Sequence, residues 1–417
     1  ISFSLQFEED YFNVLKMIKQ SGIPLKRKDR SENDPLIIAG GPCATANPMP
    51  LSDYIDVFVI GEGEVTINKF LDIYLENKNL DNFLDMDGIY IPKFNNNAKI
   101  ALIDDMKNAY HITQPIITKT DKEDYKTVFS DSIMLNVSRG CTRGCRFCMS
   151  SYLYRPLRET TIKELVNIAL KTRENTNLNK ITLIGAAVGD YYDLEGLTKA
   201  LESEGFQIAT PSLRIDSLSR ETLETLKKSG LKSITIAPES ISTLRERINK
   251  SISDEKIFSV IKNAVDLDFN IKLYFLIGIP YESKEDIEEL ANYIEKIANM
   301  HKNRNYIKFS INPVIPKPQT PLQWEVYNFK EIKSKTRYLK KKLRKYNVKF
   351  ESPKKGLIQY ILSCGNREVG AVIEKSLTEE VTLKEWQSYL PNYNINDELP
   401  WSKIDIGIKS NFLKTEN

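Results

Sequence analysis

The sequence predicts an α/β protein of parallel strands, with a half-formed open sheet followed by a partial barrel of six strand–helix repeats. In the first 78 residues, short apolar runs alternate with helical patterns and stop at glycine-rich turns. After residue 132, strand-like runs again alternate with amphipathic helical patterns. Six such repeats are two fewer than a closed eight-stranded barrel contains, so one side of the barrel should be open.

The first domain is expected at residues 1–78. Strands are predicted at residues 1–5, 36–39 and 57–60, and helices at residues 11–21 and 65–74. This order is typical of an open α/β sheet with parallel strands, of which only about half is present. Because the chain opens inside a strand, we expect further sequence upstream.

The remaining chain divides into a connector, a barrel and a cap. Residues 79–131 are predicted to form a connector with one hairpin, residues 132–328 the barrel, and residues 329–417 a helical cap. Barrel strands are predicted at residues 133–137, 180–184, 207–212, 233–237, 271–277 and 307–312. Helices are predicted between them at residues 162–171, 194–204, 220–230, 254–267 and 284–300.

The composition excludes several classes of protein. A net charge of +3 from 59 basic and 56 acidic side chains gives no electrostatic reason for a nucleic-acid or membrane-surface partner. No apolar run approaches the ~20 residues of a membrane span. Three of the five cysteines lie within eight positions, which is not a disulfide framework. We therefore expect a reducing, cytoplasmic location, with Cys43 and Cys364 as unbridged thiols.

The three clustered cysteines, Cys141, Cys145 and Cys148, have the spacing C-x3-C-x2-C and follow a predicted strand directly. Thiolates at this spacing on one loop can hold an iron–sulfur cluster. Three ligands would leave the fourth iron of a 4Fe–4S cluster open to chelation by a substrate. A structural zinc site is the alternative, but it normally needs a fourth ligand nearby, and His111 and His301 are distant in sequence.

The motif C-x3-C-x-aromatic-C after the first barrel strand resembles that of the radical S-adenosylmethionine (radical SAM) superfamily, with Phe147 as the aromatic residue. The resemblance implies a 4Fe–4S cluster on the three cysteines and S-adenosylmethionine on the open iron. It also implies an electron donor of the ferredoxin or flavodoxin type, cleavage of the sulfonium bond and a 5′-deoxyadenosyl radical. The backbone at Phe147 is implied to face the adenine.

The resemblance further implies an S-adenosylmethionine site at the carboxyl ends of the later strands. The implied residues are Gly185 and Ala186 for the methionyl amino group, Glu239 and Ser240 for ribose or methionyl contacts, Arg245 for a carboxylate, Ile277 with Gly278 for adenine, and Arg214 as a further contact at the end of the third strand. The glycines could instead be ordinary strand-to-loop punctuation, and the arginines could form surface salt bridges.

Glycines at two strand ends of the first domain would let a ligand approach the backbone closely. This region resembles the later half of a cobalamin-binding domain of radical SAM enzymes. The implied cobalamin contacts are Ser2, Ser4, Gly40, Gly41, Pro42, Gly61, Glu62 and Gly63. The fold implied is a partial (βα)6 radical SAM barrel, preceded by an incomplete Rossmann-like cobalamin-binding domain and followed by a helical cap. No Asp-x-His-x-x-Gly motif supplies a lower histidine ligand.

The function implied is transfer of a methyl group from S-adenosylmethionine, through methylcobalamin, to an unactivated carbon. Some relatives methylate protein side chains, such as a glutamine of methyl-coenzyme M reductase. One alternative is a cobalamin-dependent rearrangement or cyclisation without methylation. Another is methylthiolation, which would need a second three-cysteine cluster upstream that Cys43 alone does not provide. A non-catalytic cobalamin or iron–sulfur sensor is the alternative from a different class.

Overall fold

A computed structural model of the chain describes residues 1–118, 120, 122, 125, 129, 131–210, 213–303 and 305–417. Part of the predicted connector and the last two residues of the strand predicted at 207–212 lie outside the described residues. No helix in the described ranges is both long and apolar enough to cross a membrane.

The first domain is a small sheet flanked by helices. Its elements are β1 (Ser2–Ser4), α1 (Asp10–Gln20), β2 (Ile38–Gly40), α2 (Pro42–Ala46), β3 (Val57–Val59), α3 (Gly63–Glu76) and β4 (Ile89–Tyr90). The strands pair in the order β1-β2-β3-β4, with the first three parallel and β4 antiparallel to β3. The predicted parallel order is therefore confirmed.

The connector strand β5 (Ala98–Lys99) pairs with a distant part of the chain. Its partner is β15 (Ile404–Asp405), and the two strands are parallel. β4 pairs with β3, and Gly88, next to β4, donates a backbone hydrogen bond to the Lys99 carbonyl of β5 at 2.7 Å. Gly61 also forms an isolated parallel bridge with Ala101, which joins the connector to the first domain.

The barrel begins at residue 133, and its main strands are parallel, whereas the short strands at residues 138–139 and 158–159 pair antiparallel in a separate two-stranded sheet. Its first half contains β6 (Ile133–Asn136), β7 (Ser138–Arg139), α4 (Ser150–Leu153), β8 (Arg158–Glu159), α5 (Ile162–Thr176), β9 (Lys180–Ile184), α6 (Leu194–Ser203) and β10 (Gln207–Ala209). Its second half contains α7 (Arg220–Lys228), β11 (Ser233–Glu239), α8 (Ser242–Arg247), α9 (Asp254–Asp266), β12 (Asn270–Ile277), α10 (Lys284–Ala298) and β13 (Ile307–Pro313). The strands form two runs, β6-β9-β10 and β11-β12-β13, linked by a hydrogen bond from Leu213 N to Thr235 O.

The barrel continues beyond residue 328, so the predicted purely helical cap needs correction. After α11 (Phe329–Lys342), strand β14 (Val348–Phe350) pairs in parallel with β13. The strand is only three residues long, and none of its residues is fully buried, so it lacks the apolar run that predicts a buried strand. The helices that follow are α12 (Pro353–Cys364), α13 (Val369–Ser376), α14 (Leu383–Gln387) and α15 (Ser410–Glu416).

A buried polar cluster joins the first domain to the cap. Glu8 is 2% exposed and accepts hydrogen bonds from Lys317, Gln359 and Ser363. Burial alone would raise the pKa of Glu8, but the charge and hydrogen bonds of these partners lower it overall. Cys43 and Cys364 lie in the same hydrophobic core as unbridged thiols, as predicted.

Candidate functional site

The cysteine loop follows β7 at the carboxyl end of the barrel. Cys141 and Cys145 are buried and Cys148 is half-buried, and all three are free thiols. Tyr152 fixes the loop by donating a hydrogen bond to the Gly144 carbonyl at 3.0 Å. Three free thiols on one loop, with no disulfide to compete for them, fit the donor set of an iron–sulfur cluster.

The described residues contain no group of three His, Cys, Asp or Glu side chains that could hold a single metal ion. An iron–sulfur cluster is bound differently from a single metal ion, because each cysteine binds a different iron atom. The cysteine loop is thus suited to a multinuclear group, with Cys141, Cys145 and Cys148 as its ligands.

Charged side chains surround the cysteine loop. Arg143, inside the loop, donates two hydrogen bonds to Asp190, at 2.7 and 2.9 Å, and contacts Asp216 at 3.0 Å. Arg214 also donates to Asp216, at 3.0 Å. Arg214 therefore belongs to the same network of positive and negative side chains as Arg143 of the cysteine loop. Its guanidinium is half-buried there.

Glu239 lies on another side of the loop. It has a left-handed backbone with φ 67° and is buried, and its Oε1 accepts a 2.6 Å hydrogen bond from Lys250. Burial raises the pKa of the Cys145 thiol, while the nearby positive charges of Lys250 and Arg214 oppose that rise. Lys250, Arg214 and Glu239 thus belong to the charged surroundings of the Cys145 thiol.

Two of the predicted S-adenosylmethionine contacts lie inside the protein in this structure. Ser240 and Arg245 are fully buried, with 0% exposure. The Arg245 guanidinium donates to the Ser240 and Ile252 carbonyls and pairs with Asp254, so it holds its own loop together. The polar groups of Arg245 are therefore turned into the protein, whereas the buried Ser240 hydroxyl has no hydrogen-bond partner among the described residues.

The structure also separates the predicted adenine position from the other candidates. Ile277 is buried in the core, and Gly278 lines a cavity beyond the carboxyl ends of β12 and β13. Phe147 is half-buried and packs against the main core. Gly185 and Ala186 line a different cavity, which adjoins the cysteine loop.

That cavity, of about 760 Å³, lies between the first domain and the barrel. The eight predicted cobalamin contacts all line it: Ser2, Ser4, Gly40, Gly41, Pro42, Gly61, Glu62 and Gly63. Gly140 and Ser150, on either side of the cysteines, line it as well. Its size is in the upper part of the range of roughly 300–1,000 Å³ that is typical of ligand pockets, so the residues present fit a large cofactor.

Glu62 has a second set of contacts that the sequence did not predict. Its carboxylate accepts two hydrogen bonds from Arg158, at 2.8 and 3.1 Å, and one from the Ile103 amide at 2.7 Å. Arg139 Nη1 lies 3.4 Å from the same carboxylate, and Arg139 Nη2 pairs with Glu64 at 2.7 Å. Glu62 therefore joins the glycine loop, the connector and the flanks of the cysteine loop.

Further residues line the cavity near the cysteines. Arg139 and Tyr154 are among them, and burial raises the pKa of Tyr154 to about 12. Tyr154 follows the cysteines by only six positions, so proximity to the motif already marks it as a neighbour of the site. Asp190 carries no such signal, because only the fold brings it to Arg143.

The chain matches two family models. Residues 135–294 match the model described as "Radical SAM superfamily", and residues 1–92 match "Radical SAM proteins, N-terminal". It is also 34% identical, over 389 residues, to the uncharacterized protein MJ0966 of Methanocaldococcus jannaschii, covering 90% of this chain and 80% of that protein. The chain belongs to the radical SAM superfamily of enzymes. The cysteine loop lies within the matched radical SAM region.

Two further similarities concern methyltransferases. The uncharacterized methyltransferase PH0819 of Pyrococcus horikoshii is 25% identical over 300 residues, covering 69% of this chain and 62% of that protein. The solved radical S-adenosylmethionine methyltransferase TsrM of Kitasatospora setae, with cobalamin and a [4Fe–4S] cluster bound, superposes with a TM-score of 0.58 at 10% identity. That match covers 78% of this chain and 66% of TsrM, and it confirms the predicted fold class.

Proposed function

We propose that this radical SAM chain acts with cobalamin to transfer a methyl group from S-adenosylmethionine to an unactivated carbon. One observation carries the proposal. The cavity of about 760 Å³ is lined on one side by the glycine loops of the first domain and on the other by Gly140, Gly185 and Ala186 of the barrel. A cofactor in this cavity would lie beside a cluster on the cysteine loop.

Two different sets of residues would bind the cluster and cobalamin. Cys141, Cys145 and Cys148 would hold the cluster, and the glycine loops would hold cobalamin. When bound, these groups supply radical and methyl-transfer chemistry, while the protein binds, orients and shields them. Tyr154, with its pKa raised to about 12, remains a neutral hydroxyl near neutral pH and adds no charge to the cavity wall.

The names of similar proteins support methyl transfer. PH0819 is described as a methyltransferase, and TsrM is described as a radical S-adenosylmethionine methyltransferase with cobalamin bound. The chain spans 62% and 66% of their lengths, so activity, substrate and partners are part of the proposal. We propose a protein or peptide side chain, such as glutamine, as substrate and a ferredoxin- or flavodoxin-type electron donor.

The proposal includes a cytoplasmic location. The buried thiols Cys43 and Cys364 are free, and so are the three clustered cysteines. Five free thiols fit a reducing compartment, where disulfides are rare.

The test uses protein reconstituted anaerobically with iron, sulfide and cobalamin, and then reduced in the presence of methyl-labelled S-adenosylmethionine. We expect 5′-deoxyadenosine to form and labelled methyl to appear on cobalamin. Cys145→Ala should abolish 5′-deoxyadenosine, because it removes one of three cluster ligands. Cys364→Ala is the matched control, since Cys364 is a buried thiol in the cap rather than in the cysteine loop.

The alternatives give different results in the same assay. If 5′-deoxyadenosine forms while the label never leaves S-adenosylmethionine, rearrangement or cyclisation replaces methyl transfer. If no 5′-deoxyadenosine forms in the reconstituted wild-type protein, the chain is a sensor and the proposal is wrong.

A further inference from the structure

A second cavity, of about 710 Å³, lies beyond the carboxyl ends of β12 and β13, and we call it the flank cavity. Its walls are the loops after β12 and β13, the start of α11, and Gln387 and Leu390 of the cap. None of the lining residues belongs to the cysteine loop or to the carboxyl ends of β6, β9, β10 and β11. The flank cavity shares no lining residue with the cavity that adjoins the cysteines.

Polar groups without partners line the flank cavity. Glu282 is 7% exposed, and its Oε1 accepts no hydrogen bond from any described residue. Trp324 is 8% exposed, and its indole Nε1–H likewise has no acceptor within the described ranges. Buried polar atoms are nearly always hydrogen-bonded, so groups left open in a cavity indicate a missing partner.

The flank cavity also has an excess of negative charge. Glu282, Glu325 and Glu331 line it, whereas Lys330 is the lining lysine. Lys335, behind the wall, is shared between Glu282 and Glu331. Glu325 is half-buried and has no cationic partner among the described side chains. Burial raises the pKa of both Glu282 and Glu325; Lys335 and the Gly278 amide oppose this rise at Glu282, and burial is the cause at Glu325.

Aromatic rings complete the wall. Tyr327 and Phe329 line the flank cavity, and Tyr281, 86% exposed, stands at its rim. Aromatic faces attract a cation and also pack against the methylene chain that carries it. A carboxylate combined with aromatic rings is a recurring way to bind an amino or guanidinium group.

We propose that the flank cavity is a binding site for an organic cation on an extended chain, such as a lysine residue of a peptide. Glu325, with the open oxygen of Glu282, receives the ammonium group. The indole N–H of Trp324 donates a hydrogen bond to a carbonyl of the same ligand. This site does not depend on methyl transfer, because it is separate from the cysteine loop and its binding can be measured without turnover.

The experiment compares two small probes by calorimetric titration against the whole chain. One is Nα-acetyl-lysine methylamide; the other is Nα-acetyl-norleucine methylamide, which has the same backbone and four-carbon chain without the ammonium. We expect the lysine probe to bind at least about tenfold more tightly, as a charge-assisted hydrogen bond contributes that much. Glu325→Gln should remove most of this preference and leave the norleucine affinity unchanged.

Two variants complete the design. Glu288→Gln is the matched control, because Glu288 is an exposed carboxylate that pairs with Lys342 outside the flank cavity and should change the preference little. Trp324→Phe should weaken both probes equally, since both carry the carbonyl that the indole would bind. Three results would each overturn the proposal. They are equal affinity of the two probes, no binding of either probe to the wild type, and an unchanged preference in Glu325→Gln. Circular dichroism checks that every variant is folded.

Discussion

The buried pair of Glu62 and Arg158 is the contact whose loss we expect to destabilise the chain most. Both side chains are 5% exposed, and two hydrogen bonds of 2.8 and 3.1 Å join them. Arg158→Met removes the guanidinium but keeps most of the volume. The Glu62 carboxylate then remains buried, with only the Ile103 amide and the more distant Arg139 as partners.

Removing one member of a buried ion pair typically costs about 3–5 kcal/mol. Arg139, at 3.4 Å from Glu62, still compensates part of the charge, so the lower end of that range applies. We expect Arg158→Met to lower the free energy of unfolding by about 3 kcal/mol, which is roughly a hundredfold in the folding equilibrium. Glu62→Gln should cost about 2 kcal/mol, and the double variant should cost at least about 1 kcal/mol less than the sum.

Urea unfolding followed by circular dichroism measures these differences in the free energy of unfolding. Hydrogen exchange at the Ile103 amide reports local opening around Glu62. Arg220→Met is the matched control, because it removes an exposed arginine that pairs with Glu224 on the same helix. That control should unfold like the wild type. Strict additivity of the Glu62 and Arg158 substitutions would refute the reasoning, since additive effects mean that the two side chains do not interact.

Two further predictions concern the first domain. Gly41→Ala should cost more than about 2 kcal/mol and weaken cobalamin binding, because Gly41 has φ 99° and a Cβ would lie 2.8 Å from the Leu5 carbonyl oxygen. Gly22→Ala, at φ 73° with no atom within 4 Å, should cost only roughly 1–2 kcal/mol, and equal losses in urea unfolding would contradict the steric argument. The pKa of Glu8 is lowered from 4.5 in the folded chain, so its stabilising effect is full above that pH and is lost as pH falls through the folded value. Thermal melting between about pH 7 and about pH 3 should show Glu8→Gln losing less stability in acid than the wild type, and parallel losses would contradict this.

The sequence was informative wherever function depends on neighbours in the chain. The spacing of Cys141, Cys145 and Cys148 alone predicts the function of the cysteine loop. The glycines that follow β2 and β3 predict one wall of the first cavity. Strand ends of parallel sheets meet at one edge, so a local pattern there implies a shared location.

The parts that could not be predicted depend on distant contacts. Glu62 and Arg158 are 96 positions apart, and neither has a local signal that it will be buried against the other. Arg245 resembles a ligand contact in the sequence, and only the fold turns it inward. Strand β14 was missed because its pairing with β13, rather than an apolar pattern, creates it.

Because β5 pairs with β15, this part of the fold can form only late in the synthesis of the chain. The connector residues beside Gly61 are held by Ile100 N donating to the Asp405 carbonyl, about 300 residues later in the chain. At typical translation rates of 5–20 residues per second, this partner emerges roughly 15–60 seconds after β5. Until then one wall of the large cavity lacks its outer support. A bulky cofactor would therefore meet a looser entrance on the nascent chain than on the finished protein.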